Sequence, residues 1–266
     1  MDSAEYHSAL SALTWQIELG VDTCIADAPI NRYEVPAKVE KPAAPAAAAP
    51  AVAVPQAEVD VVAAARAAAE AAQDLEGLRA ALEVYPHCEL KMGARSLVFS
   101  DGVPGARVMI VGEAPGRDED REGRPFVGRA GQLLDRMLAA IDLSRAASSD
   151  QAEGQEKAGS VYITNVLPWR PPQNRDPKPE EIAMMQPFLE RHIALANPDV
   201  LVVVGNHACQ ALLGKRGITR LRGDWTEAQG KPALPMFHPA YLLRNPAAKR
   251  EAWADLLKLK AKLRDG

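Results

Sequence analysis

Three short, nearly unbroken apolar runs constrain this chain most: ARVMIVGE (residues 106–113), SVYITNVL (160–167) and PDVLVVVG (198–205). Each is too short to be a buried helix and is rich in β-branched residues, the pattern of a strand covered on both faces. Amphipathic stretches alternate with them. LEGLRAALEVY (75–85) and RAGQLLDRMLAAIDL (129–143) show helical spacing, KPEEIAMMQPFLERHIALA (178–196) adds acidic residues in its first turn, and NHACQALLG (206–214) reads as a helix closed by Gly214. Strands alternating with helices predict an α/β fold, a three-layer α/β/α arrangement with a mostly parallel central sheet. In such sheets ligands bind beyond the carboxyl ends of the strands, so the loops that follow strands are where chemistry is sought.

The first 73 residues do not share this pattern. Residues 36–72 hold 18 alanines and 5 prolines, too little bulky apolar surface to offset the entropy of ordering, and are read as an Ala/Pro-rich flexible linker over 36–73. Its last part, VVAAARAAAEAAQ, has weak helical character. Ahead of it, in a segment 1–35, Leu10, Leu13 and Ile17 recur at helical intervals and predict a short helix. The catalytic unit is expected over 74–266.

Composition excludes several classes. With 47% apolar residues the chain can build a core, yet it has no apolar run of about 18 residues, and its start lacks the basic and apolar blocks of a secretory leader. A cytoplasmic, monomeric protein is expected. Cys24, Cys88 and Cys209 are too few and too scattered for a disulfide framework or a CxxC metal site, so no metal is expected. The net charge of −4 is uneven: residues 1–84 carry −8 and residues 214–266 carry +7. The basic end suits a polyanion, although AAKREAWADLLKLKAKLRDG (247–266) also reads as an ordinary solvated helix with Trp253, Leu256, Leu257 and Leu263 on its apolar side.

Three loops carry the residues able to do chemistry: GEAPGRDEDREGRPFVG (112–128), NVLPWRPPQNRDP (165–177) and FHPAYLLRNPAAKR (237–250). Phe126 offers an aromatic face, or a core ring. Asn165 offers a donor and an acceptor on one amide, or a turn cap. His238 is one of five histidines. Glu113, Asp118, Glu119 and Asp120 supply carboxylates, while Arg117, Arg121, Glu122 and Arg124 read as a solvated charge run. Taken together and in order, these motifs resemble the uracil-DNA glycosylase superfamily, most closely its family 4, over about Cys88 to Arg264.

The resemblance implies a base flipped from DNA into a pocket. Phe126 would stack on it, Asn165 would read N3–H and O4 of uracil, and His238 would face O2 as charge develops there. Glu113 would position water or stabilise the sugar cation, and Glu119 would line the pocket beside uracil C5, with Asp118 and Asp120 as alternatives for part of either task. Ala114 would help line the base site. Arg170, Arg175, Arg244, Lys249 and Arg250 would meet phosphates, and Leu242 or Leu243 would fill the gap left by the base. Departures matter as well. Of the family's four cluster cysteines only Cys88 is in register, with Tyr85, Trp169 and Met185 at the other positions, so an iron-sulfur cluster is expected to be absent. The GEQPG and KRIH features of the covalently trapping branch are missing, since this chain has Ala114 and KRGITRLRG (215–223). The expectation is a monofunctional glycosylase that hydrolyses uracil from single- or double-stranded DNA. Wider use of hypoxanthine or xanthine, or a reader that has lost turnover, are the alternatives.

Overall fold

The computed structural model describes residues 3–18, 60–146 and 159–265. The chain divides into two units, Met1–Gln56 and Ala57–Gly266. In the first, α1 (Ser3–Glu18) presents Tyr6, Leu10, Leu13 and Trp15 to solvent. Most of the linker segment lies outside the described residues.

The second unit runs α2 (Val61–Ala71), α3 (Leu75–Val84), α4 (Leu90–Gly93), β1 (Asp101–Gly102), β2 (Val108–Gly112), α5 (Arg117–Glu122), α6 (Arg129–Ala139) and β3 (Val161–Asn165). It continues with α7 (Pro179–Ala196), β4 (Val200–Val204), α8 (Asn206–Leu213), α9 (Ile218–Leu221), β5 (Thr226–Ala228), β6 (Lys231–Met236), α10 (Pro239–Arg244) and α11 (Lys249–Asp265). The six strands form one sheet in the order β1-β3-β2-β4-β6-β5. The four inner strands are parallel, and β1 and β5 close the edges antiparallel.

Strand β2 is buried along its whole length, and its side chains alternate between two cores. Met109 and Val111 join a core with Leu78, Met185, Phe188 and Ile193 from α3 and α7; Val108 and Ile110 join Leu134, Leu138, Leu256 and Leu259 from α6 and α11. Each such side chain withdrawn from water contributes about 1.5–3 kcal/mol. Helices therefore cover both faces of the sheet, giving the expected three layers.

Two sequence expectations change. Residues 61–72 are not the end of a linker: Asp60 caps α2 through Val62 N and Ala63 N, and Ala65, Ala69 and Ala72 are buried in the core. Alanine is small enough here for close helix–helix approach, and the contacts of Tyr85 Oη with Val61 O (2.5 Å) and Arg191 Nε with Ala72 O (3.0 Å) anchor both ends. In α11, Leu256 and Leu259 are buried while Trp253 and Leu257 remain 43% and 45% exposed, so the apolar side is narrower than its spacing suggests. Because α2 belongs to the packed body, Ala65→Leu is expected to cost about 1–3 kcal/mol by overpacking, measurable as a lower urea midpoint.

Candidate active site

The carboxyl ends of the four parallel strands meet at one cavity of roughly 560 Å³. Glu113 and Ala114 follow β2, Asn165 ends β3, Gly205 and His207 follow β4, and His238 follows β6; all line it. The sheet sets this geometry directly. Strand pairing puts Gly112 opposite Asn165, and a methyl group at Gly112 would lie 2.4 Å from Asn165 Oδ1 and 2.6 Å from the Phe126 ring. Only glycine permits the strand, the amide and the ring to approach so closely.

Phe126 is both core and pocket. Its ring is 5% exposed, belongs to the α6–α11 core, lines the cavity and stacks on His238 with centroids 5.5 Å apart. Its φ of 55° is the left-handed region, uncommon for a bulky residue, and needs support from its surroundings. That support comes from two ionic side chains. Glu119 accepts hydrogen bonds from Gly116 N (3.1 Å), Val127 N (3.0 Å) and Gly128 N (2.9 Å). Arg145 donates to Pro125 O (2.8 Å) and Phe126 O (2.9 Å) and pairs with Asp101 and Asp135.

The charged loop thus sorts by role. Glu119 lines the cavity, but its carboxylate is engaged by the backbone that carries Phe126. Asp120, expected as an alternative acid, is buried and accepts from Arg95 N (2.8 Å) and Ser96 N (3.2 Å). Asp118 is not among the cavity-lining residues; half-buried, it lies against Gly128 and 3.5 Å from Arg121.

His238 receives the Ala240 N–H at Nδ1 (3.2 Å), so its proton resides on Nε2. Burial, with Arg244 beside it, lowers its pKa to about 4, and the ring is neutral at pH 7. Gly205, at φ 93°, makes the turn from β4 into α8 and approaches His238, whose Cβ would be 3.3 Å from a methyl placed there. Glu113 Oε2 lies 2.7 Å from His207 Nδ1, and Asp176 Oδ2 lies 3.9 Å from His207 Nε2. Carboxylate and imidazole atoms of these three residues all fall within 4.8 Å of one another.

The cations and leucines expected at DNA divide unevenly. Arg244 lines the cavity and is exposed, Arg170 is half-buried and held by Asn174 Oδ1 (2.7 Å), and Lys249 and Arg250 are exposed at the start of α11. Arg175 is committed to Glu181 in a two-pronged pair (2.9 and 2.5 Å), which binds the RPPQNRDP loop to α7 and neutralises its charge. Leu242 is 1% exposed and belongs to the core, because α10 turns that side of its single apolar face inward. Leu243 is the half-buried member of the pair.

Sequence reasoning missed Arg145, His207 and Asp176. Arg145 is distant in sequence from the loop it clamps. His207 stood in what read only as a helix start. The position of His207 beyond a buried strand was the one available signal.

The four positions that the family resemblance assigns to cluster cysteines are Tyr85, Cys88, Trp169 and Met185, all buried in one core. Tyr85 gives its hydroxyl to Val61 O and meets Phe188 edge-on at 5.3 Å; burial pushes the Cys88 thiol pKa up. One protonated thiol, a committed phenol, an indole and a thioether do not fit an iron-sulfur cluster.

A three-layer α/β/α body thus brings an aromatic ring, an amide, a neutral imidazole and a carboxylate together at converging strand ends. Residues 99–257 match the family described as the uracil DNA glycosylase superfamily, and the chain belongs to that superfamily. It is similar to the type-4 uracil-DNA glycosylase of Thermotoga maritima, 42% identical over 163 residues, 59% of this chain and 77% of that protein. The type-4 uracil-DNA glycosylase of Archaeoglobus fulgidus is 39% identical, covering 65% of this chain and 84% of that protein. A type-5 uracil-DNA glycosylase of Pyrobaculum aerophilum is 32% identical over 145 residues. None of the described helices is long and apolar enough to cross a membrane.

Native His238 and His192, the latter lowered to about 3 by burial, both stay neutral where unfolded imidazoles, with pKa near 6.5, take up protons. Stability is therefore expected to be full above about pH 6.5 and to fall steadily from there toward about pH 3, seen as a declining melting temperature. His192→Phe and His238→Phe should each flatten part of that decline.

Proposed function

We propose that the protein hydrolyses the N-glycosidic bond of uracil in DNA and leaves an abasic site. The observation that carries this reading is the convergence of Phe126, Asn165, His238 and Glu113 from separate elements on one cavity. The names of the type-4 relatives support it. A flipped uracil stacks on Phe126, and the Asn165 amide pairs with its N3–H and O4, an edge that cytosine presents with donor and acceptor reversed. The neutral His238 offers Nε2–H to O2, where negative charge grows as the bond breaks. It does so without a charge change of its own, because Nδ1 is held by Ala240 N.

Glu113 is the carboxylate given the water and the developing sugar cation. Glu119 acts one step removed, by fixing the loop of Phe126. Arg170, Arg244, Lys249 and Arg250 supply the local positive charge that a protein of net charge −4 needs against phosphates, and Leu243 is the apolar side chain available to the vacated stack. Arg175 and Leu242 serve the scaffold instead.

The protein should release uracil from a uracil-containing oligonucleotide, read as strand cleavage after alkali. His238→Ala is expected to lower kcat about 10²–10³-fold. Asn165→Asp should lose the preference for uracil over cytosine, because both its oxygens accept. No release from uracil, hypoxanthine or xanthine substrates would leave a binding protein and discard the enzymatic reading.

The same reading holds that the enzyme works without an iron-sulfur cluster, the four positions being filled by apolar packing. Purified aerobically or anaerobically, it is expected to lack broad visible absorption and to contain iron far below one atom per chain, and bound sulfide with matching iron would overturn this.

A further inference from the structure

One buried titratable group near the cavity has no part in the chemistry above. His207, in the first turn of α8, has a side chain only 10% exposed. Its Nδ1 is shut off from solvent and, among the described residues, lacks an aligned hydrogen-bond partner, although Glu113 Oε2 is 2.7 Å away. A buried ring nitrogen left unpaired is costly, and a small rotation of the neighbouring carboxylate removes the cost. Hydrogen bonds of this kind are often misaligned in a free enzyme and tighten when substrate arrives.

We propose that His207 is the positioning residue for Glu113: its Nδ1–H holds the Glu113 carboxylate toward the sugar of the flipped nucleotide. This rests on the glycosylase reading. Gly205 makes the arrangement possible, since its φ of 93° turns the chain sharply from β4 so that α8 begins at the cavity rim.

The three residues Glu113, Asp176 and His207 also bring one ligand atom each within 4.8 Å of one another, so a bound cation is the rival that the experiment must separate from a positioning role.

Steady-state kinetics on a uracil-containing oligonucleotide test the proposal. His207→Leu should lower kcat about ten- to hundredfold, the scale of a misplaced reacting group, with KM changed by less than about threefold. His207→Asn places an amide donor where Nδ1 was and should recover most of the loss. His207→Gln, whose donor falls at the Nε2 position, should not. In a Glu113→Gln background, His207→Leu should cost nothing further, because the two act as one unit. Wild-type kcat in folded His207→Leu, failure of His207→Asn to exceed His207→Leu, or additive losses in the double variant would each overturn it. So would loss of wild-type activity on chelation with recovery on adding Zn²⁺, which assigns the three residues to a metal. Absence of uracil release by the wild type sinks the glycosylase reading and this with it; turnover indifferent to His207 sinks this alone.

Discussion

The pocket depends on how one carboxylate is used. Glu119 gathers three backbone amides around the turn that carries Phe126, and Arg145 gathers two carbonyls from the same turn on its other side. Between them the loop is gripped at both its donors and its acceptors. Hydrogen bonds to charged groups contribute about 1.5–3 kcal/mol each, and together these exceed the cost of about 1–3 kcal/mol for holding one phenylalanine in the left-handed region. The ring therefore stands in the cavity wall before any substrate arrives, and no binding energy is diverted to ordering it.

The polar members of the site follow the same economy of motion. Asn165 is the last residue of a buried strand, and His238 precedes a helix whose second amide fixes its tautomer. A neutral imidazole in a partly dry pocket is a better partner for a growing anion than a mobile cation would be, since it donates without having to be desolvated as an ion. Arg244 nearby reinforces neutrality at His238 while adding positive potential at the mouth.

Much of this was legible before any coordinates. β2, β3 and β4 announced themselves as apolar runs, α7 and α8 by their caps and spacing, and the three loops by their motifs. Strand β6 did not, because Pro232 and Pro235 within KPALPM argue against an interior strand, yet it pairs on both sides. Strand β1, at two residues, is too short to leave a pattern. Among the acids of the DEDRE run, composition could not distinguish one that pairs with a neighbouring arginine, one that holds amides and one that braces a neighbouring segment. Those differences arise from which backbone donors the fold brings within reach. Leu242 and Leu243 illustrate the same limit, since adjacent residues on a short helix differ in burial, one inside the core and one half-buried against it.

The ladder that aligns Gly112 with Asn165 carries a consequence for how such a protein can change. Successive side chains on a strand point to opposite faces, so sliding β3 by a single residue would bring Thr164 or Val166 to the rim and turn the amide away. The placement of the amide at the cavity is therefore anchored in backbone pairing, not only in a side chain. Lengthening or shortening the surface loops leaves that alignment untouched, whereas one inserted or deleted residue inside the strand erases it, so the periphery of the cavity can be remodelled while the amide's position cannot.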